Sequence, residues 1–387
     1  MNAFFKTNRD KTIIALLCIC ILGAVIYNIS ILDTPYIFGD EFGYWANAAY
    51  MNGLDWNSVG AYNPYYSFGY SLLLAPLFII FGSTAAMYQA AIVINGLLLV
   101  ASFCLSIYCV SRTIPRLPKV ACAFFCFLVC VYSNTIFQSK NTQAETLLYC
   151  LYWLIIAEMI SFINSPKSFK SLIIGGLSAL VYFTHMRSIG VVISVFLIFL
   201  LFVVKENEKK RYLFLLAISF FILFGAGNIL KNILITNIYS NPEITAANDF
   251  GGQVGKIAQL FSIEGIKNFL DSILGKIYYL TAATFFVWIF FGLYCLKQVK
   301  LHSFKVENRN TYIFAFLLLS LCGTLAISSL YMSGSTGTGR IDTLVYGRYN
   351  EFIIGPILLY GIIAFYECKN SWKVIFFCIY FFAILSL

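Results

Sequence analysis

Apolar runs long enough to cross a lipid bilayer follow one another along almost the whole chain, and the charges sit in the short stretches between them. The first run, residues 12–32, carries no charged side chain. About 20 apolar residues suffice for a helix to cross the ~30 Å hydrocarbon core. Only 11% of the 387 residues are charged and 60% are hydrophobic, whereas a soluble domain is about 25% charged. The runs are continuous rather than alternating segments of about ten residues, which argues against a β-barrel. The expected fold class is therefore all-α: a single polytopic transmembrane helical bundle over residues 1–387.

Orientation follows from Lys and Arg. Spans are expected at about 12–32, 84–110, 119–136, 143–163, 171–186, 189–204, 211–235, 276–296, 311–331, 351–366 and 373–387. Residues 68–81 are apolar but too short to cross, and are expected to lie in the interface. With that assignment eighteen of the 26 Lys and Arg fall in inner loops and eight outside, which favours eleven spans with the N-terminus in. The formal charge of +9 is scattered through short loops, so it is no nucleic-acid signal. None of the twelve Cys falls in an outer loop, and the helically spaced Cys122, Cys126 and Cys130 read as small buried hydrophobes.

Three outer loops remain: 33–68, 236–275 and 332–350. The first holds Asp33, Asp40, Glu41 and Asp55, with no Lys or Arg between Lys11 and Arg112. Phe42, Trp45, Ala49 and Tyr50 recur at helical spacing before Gly53, which predicts a short amphipathic helix on the membrane surface. Asp40 could simply cap that helix. Cations arrive late, as Arg187 beside His185, Arg340 and Arg348. Each could be an interface anchor, and Lys140 with Glu145 reads as a helix-turn pair. The functional alternative joins them. Rings such as Tyr44, Trp45, Tyr65 and Tyr349 stack on sugars, a carboxylate takes a proton from an attacking hydroxyl, and Arg348, Arg187 and Arg340 hold a phosphate.

Gly39-Asp40-Glu41 after the first span, followed by a surface helix, resembles the first outer loop of GT-C-fold glycosyltransferases, in particular protein O-mannosyltransferases and lipid A aminoarabinose transferases. Asn63-Pro64 with Phe81-Gly82, Thr184-His185-Met186-Arg187 and Gly347-Arg348-Tyr349 resemble later elements of those families, in the same order. The resemblance implies a polyprenyl-phosphate sugar as donor, inversion at the anomeric carbon, and Asp40 as catalytic base. Glu41 would either support Asp40 or bind a divalent cation, Mg²⁺ or Mn²⁺. No large outer C-terminal domain of the kind found there is expected, a departure from those families. By analogy the acceptor is a lipid-linked glycan or O-antigen, and the site faces the periplasm of a bacterial inner membrane.

Two other classes compete. An O-antigen polymerase is expected to rely on arginine-rich outer loops rather than on a first-loop acid pair. A flippase or transporter favours charges within spans and an inverted repeat.

Overall fold

The computed structural model describes residues 8–34, 38–60, 64–206, 210–239, 255–302, 309–333 and 344–368. Every regular element among them is helical. In chain order these are α1 (Asn8–Ile26), α2 (Phe38–Met51), α3 (Asn57–Gly60), α4 (Ser71–Leu74), α5 (Leu77–Ile80), α6 (Thr84–Thr113), α7 (Lys119–Cys130) and α8 (Ser133–Ser139). They continue as α9 (Glu145–Asn164), α10 (Ser168–Thr184), α11 (Ile189–Lys205), α12 (Arg211–Ile238), α13 (Ile263–Ala283), α14 (Val287–His302), α15 (Asn310–Ser333) and α16 (Glu351–Glu367).

Among the described residues seven helices are long and apolar enough to cross a membrane, or nine if each of two bent pairs is one span. The expected eleven are therefore reached only in part. The run at 119–136 is two helices, α7 and α8, meeting at 59°. The span expected at 276–296 is not one helix: α13 and α14 turn by 105° between Ala283 and Val287. Phe285 and Phe286 both take positive φ there, 49° and 64°, a conformation that bulky residues seldom adopt. The run at 171–186 forms the 17-residue α10, short for a span. The expected span 373–387 lies outside the described residues. Residues 68–81 break into α4 and α5 around Pro76, each four residues long.

Two outer loops also differ from expectation. The loop expected at 236–275 gives way to helix at both ends, because α12 continues to Ile238 and α13 begins at Ile263. The α13 helix is amphipathic with its apolar stripe outward: Ile263, Ile266, Leu270, Leu274 and Tyr278 are exposed, while Ser272 and Lys276 face the protein. Helix α2 does not lie on the surface. Tyr44 through Ala49 are all buried.

The core is built around α9, which packs against α6, α10 and α16 and buries almost every residue. The closest helix pairs are α10 with α12, α11 with α15 and α14 with α16. Helices α11 and α15 meet through glycine on both sides, since a Cβ on Gly190 would stand 2.5 Å from the Gly323 carbonyl carbon. In lipid, such small-residue contacts let backbones approach and gain dispersion where the hydrophobic effect offers little. One end of the bundle carries the pairs Arg116–Glu367, Arg309–Glu206 and Lys119–Asp10. These are the loops that the Lys/Arg bias assigns to the inside. A cysteine introduced at Ser111 or Lys167 is accordingly expected to react with a membrane-impermeant reagent only after the inner face is exposed. Labelling of Ser111 from outside would reverse the orientation.

Candidate functional site

The other end gathers segments that are far apart in sequence. Asp40 and Glu41 stand in the first turn of α2, Glu145 begins α9, and Arg187 lies in the 3-10 turn Met186–Ser188 between α10 and α11. Tyr331 closes α15, and Arg348 lies in the 3-10 turn Arg348–Asn350 that leads into α16.

Helix α2 starts at Phe38, so Asp40 is a first-turn residue and not the cap. An acid there still suits the positive end of the helix dipole, and its side chain is left to reach across the bundle. Tyr66 Oη donates to Asp40 Oδ1 at 2.5 Å, and Arg348 Nη1 pairs with Asp40 Oδ2. Arg348 Nε also donates to Glu145 Oε1 at 2.5 Å. One guanidinium thus bridges two carboxylates from the first and second outer turns. Burial alone would raise the Asp40 pKa, but the Arg348 charge and the Tyr66 and Arg348 hydrogen bonds outweigh it, and the carboxyl is held below its usual value. Burial and the adjacent Asp40 charge push the Tyr66 hydroxyl up, which keeps it a donor.

Lys140 and Glu145 do not pair. Lys140 Nζ donates to the Tyr27 carbonyl and sits over its ring, while Glu145, nearly buried at the start of α9, is turned to Arg348. The turn between them is pinned from within the bundle. Asn95, buried in α6, donates to the Ser139 and Asn141 carbonyls and accepts from Tyr70 Oη. Thr142 then donates from its backbone and hydroxyl to Glu41 Oε2, at 3.2 and 2.5 Å, and accepts from Trp45 Nε1 at 2.9 Å. Glu41 is wholly buried, so it holds the second outer turn in place rather than facing the space around Asp40. The first segment docks on α10 through Gly69, whose amide donates to the Phe183 carbonyl. A Cβ on Gly69 would strike Thr184, so only glycine allows this approach.

Beside the Asp40–Arg348–Glu145 group lies a cluster of cations and rings. The Arg187 guanidinium sits in the corner formed by the Tyr331 and Tyr349 rings, which stand at 88° to each other, 3.6 and 3.5 Å from their centroids. Lys256 Nζ also lies over Tyr331, at 3.7 Å, and donates to its carbonyl. Lys276, buried on α13, donates to Ser272 and is close enough to Arg187 for their charges to interact. The Arg187 charge reaches Asp40 too. Burial, then Arg187, brings the Lys256 pKa down to about 8. His185 accepts from the Arg187 amide through Nδ1, and burial followed by the charges of Arg187 and Arg348 holds it well below its usual pKa, so it stays neutral.

Of the residues expected in the site, Asp40, Arg187, Arg348 and Tyr349 come together. Tyr44 is buried on Tyr66 and Tyr70, close enough to Glu145, Arg348 and Asp40 for their charges to act on it, whereas Tyr65 is a core ring packed on Tyr239. Trp45 is also buried and lines a separate pocket. Arg340 lies outside the described residues. Glu145, Tyr66, Lys256 and Lys276 were not expected. The cations among them had a readable signal, because Lys256 and Lys276 belong to the eight Lys and Arg that the topology leaves on the outer side. No three His, Cys, Asp or Glu among the described residues form a group suited to a metal ion. No protein-family model matches the chain, and no curated protein matches it either.

Proposed function

We propose that the chain is a membrane glycosyltransferase that moves a sugar from a polyprenyl-phosphate donor to a hydroxyl of a lipid-linked glycan at the outer face. The observation that carries this reading is the Asp40 carboxylate, in contact with Arg348 and next to the Arg187–Lys256–Lys276 cluster. A base and an anion site side by side are what transfer from a sugar phosphate requires. Asp40 removes the proton from the acceptor hydroxyl. The oxygen attacks the anomeric carbon from the face opposite the phosphate, the bond from that carbon to the phosphate oxygen breaks, and the phosphate leaves with the electron pair. Arg187, Lys256 and Arg348 stabilise that charge as it develops. A phosphate on Arg348 also draws it away from Asp40, which removes the main influence lowering the Asp40 pKa and makes the carboxylate a stronger base once donor is bound. Tyr66 and Glu145 fix the two partners in position, and Glu41 fixes the turn that carries Glu145.

The test is incubation of the purified protein with a panel of radiolabelled polyprenyl-phosphate sugars and a lipid-linked glycan acceptor. Label appearing in the acceptor supports the reading, and none across the panel overturns it. The Lys256 pKa adds a pH dependence. A depressed lysine binds phosphate in its charged form, which prevails below about 8. Polyprenyl-phosphate binding should therefore weaken as pH rises through that value, by about tenfold for the loss of one charge-assisted contact. Lys256→Met should bind weakly throughout and lose the pH dependence. An unchanged profile in Lys256→Met would remove this lysine from the donor site.

A further inference from the structure

A second pocket opens on the other side of α2 from Arg348. It encloses about 170 Å³ and is lined by Phe42, Trp45, Trp56, Phe78, Met87 and Tyr88, with Asp33, Thr34 and Thr84 also in its wall. A closed cavity of about 150 Å³ holds one benzene ring, and here Asp33, Thr34 and Thr84 are exposed at the rim, so a pyranose can seat its ring inside with its hydroxyls at the mouth. The aromatic wall is fixed by ring contacts: Trp45 and Trp56 stand edge-on to Phe78 at 5.8 and 6.4 Å, and Phe42 is tilted against Trp56 at 6.1 Å. No lysine or arginine lines it, so it is no phosphate site.

We propose that this pocket binds one pyranose ring of the acceptor glycan, with the carbon-rich face of the sugar on Trp45 and Trp56 and its hydroxyls toward Asp33, Thr34 and Thr84. The proposal rests on the glycosyl-transfer reading for the word acceptor, but not for the sugar. Four features favour it. A sugar ring matches the volume. Carboxylate and hydroxyl groups in an otherwise aromatic wall suit a ligand with one apolar face and polar edges, whereas an isoprenoid chain would leave Asp33, Thr34 and Thr84 without use. The segments that form the pocket also carry the exposed apolar residues Ile31, Ile79 and Ile80, a surface suited to lipid contact, which is where the first sugars of a lipid-linked glycan are found. Finally, Phe42 and Trp45 follow Asp40 by two and five residues, roughly 3 and 7.5 Å along the helix axis at ~1.5 Å per residue. Trp45 is moreover tied through Thr142 to Glu41, the neighbour of Asp40. The prevailing aromatic lining further selects a sugar rich in C–H surface, a 6-deoxyhexose over a hexose.

The experiment is saturation-transfer NMR on the full-length protein in lipid nanodiscs, with methyl α-L-rhamnopyranoside, methyl α-L-fucopyranoside and methyl α-D-glucopyranoside as probes at millimolar concentration. Binding of undecaprenyl phosphate is measured on the same samples. Trp56→Ala strips one wall and Met87→Trp fills the space, and neither residue touches Asp40 or the cation cluster. The expected result is transfer to ring protons that is strongest for the deoxy sugars and falls on the order of tenfold in both variants, with undecaprenyl-phosphate binding unchanged. Signals that are absent from wild type, unchanged from wild type in both variants, or displaced by geraniol overturn the pocket assignment and leave the donor reading standing. Failure of wild type to bind undecaprenyl phosphate, with sugar signals that still depend on Trp56 and Met87, overturns the transferase reading and leaves the pocket a sugar site.

Discussion

Asp40→Asn is expected to lower sugar transfer by a factor on the order of 10²–10⁴ while leaving a folded protein. The amide keeps the size of the side chain and can still accept from Tyr66, so the Tyr66 contact at 2.5 Å survives in altered strength. It cannot take a proton. A purely structural role predicts a different result. Helix α2 begins two residues before Asp40, so no capping bond is at stake. What the substitution removes structurally is one of the two carboxylates on Arg348, and Glu145 retains the other. The stability cost is accordingly modest, whereas the loss in the barrier is roughly 3–5 kcal/mol at 1.36 kcal/mol per tenfold. The check is in-vitro transfer at matched amounts of folded protein, with melting temperature recorded on the same preparation. Wild-type turnover in Asp40→Asn would return Asp40 to the role of an ion-pair partner. Glu41→Gln should behave in the opposite sense. Glu41 is buried against Thr142, so its substitution should disturb stability first and catalysis through the position of Glu145.

The bundle was legible wherever hydropathy alone decides, as in α1, α6, α9, α11, α12, α15 and α16. It was illegible at the turn between α13 and α14. The residues there, Thr284-Phe285-Phe286, continue an apolar run with no Gly or Pro to mark a stop, and positive φ at two phenylalanines runs against their local preference. The surface helix failed for a related reason. Helically spaced apolar residues before Gly53 gave the right helix, but periodicity does not say what covers its other face, and here α4, α12 and the second outer turn do. For the site, Asp40, Arg187 and Arg348 stood out because an outer charge in an apolar chain demands a use. Glu145 was hidden by its local neighbour Lys140: sequence distance suggested a pair, and Glu145 instead reaches 203 residues along the chain to Arg348. Lys256 and Lys276 were visible only as exceptions to the inward bias of positive charge, and proximity in space was needed to show that they share a place with Arg187.

Arg348→Met should have the largest effect on stability of any single change at this end of the bundle. The side chain is 18% exposed and Glu145 only 7%. Removing one partner of a buried pair leaves the other charge without compensation and costs roughly 3–5 kcal/mol. Asp40, more exposed at 31%, is better placed to recover solvation, so most of the penalty is expected to come from Glu145. The double variant Arg348→Met/Glu145→Met tests this, because replacing a buried pair by well-packed apolar side chains of similar volume is often neutral. Its melting temperature should return most of the way to wild type. Donor binding should not return, since the guanidinium is gone. Arg348→Lys should fall between the two. An ammonium keeps the charge beside Glu145 but lacks the planar fork that meets Glu145 through Nε and Asp40 through Nη1 at once, so stability is largely retained and donor binding weakened. A double variant that melts no higher than Arg348→Met would show that Glu145 is not what the guanidinium compensates. Full donor affinity in Arg348→Lys would confine Arg348 to holding Asp40 and Glu145 together, with Arg187 and Lys256 left to bind the phosphate.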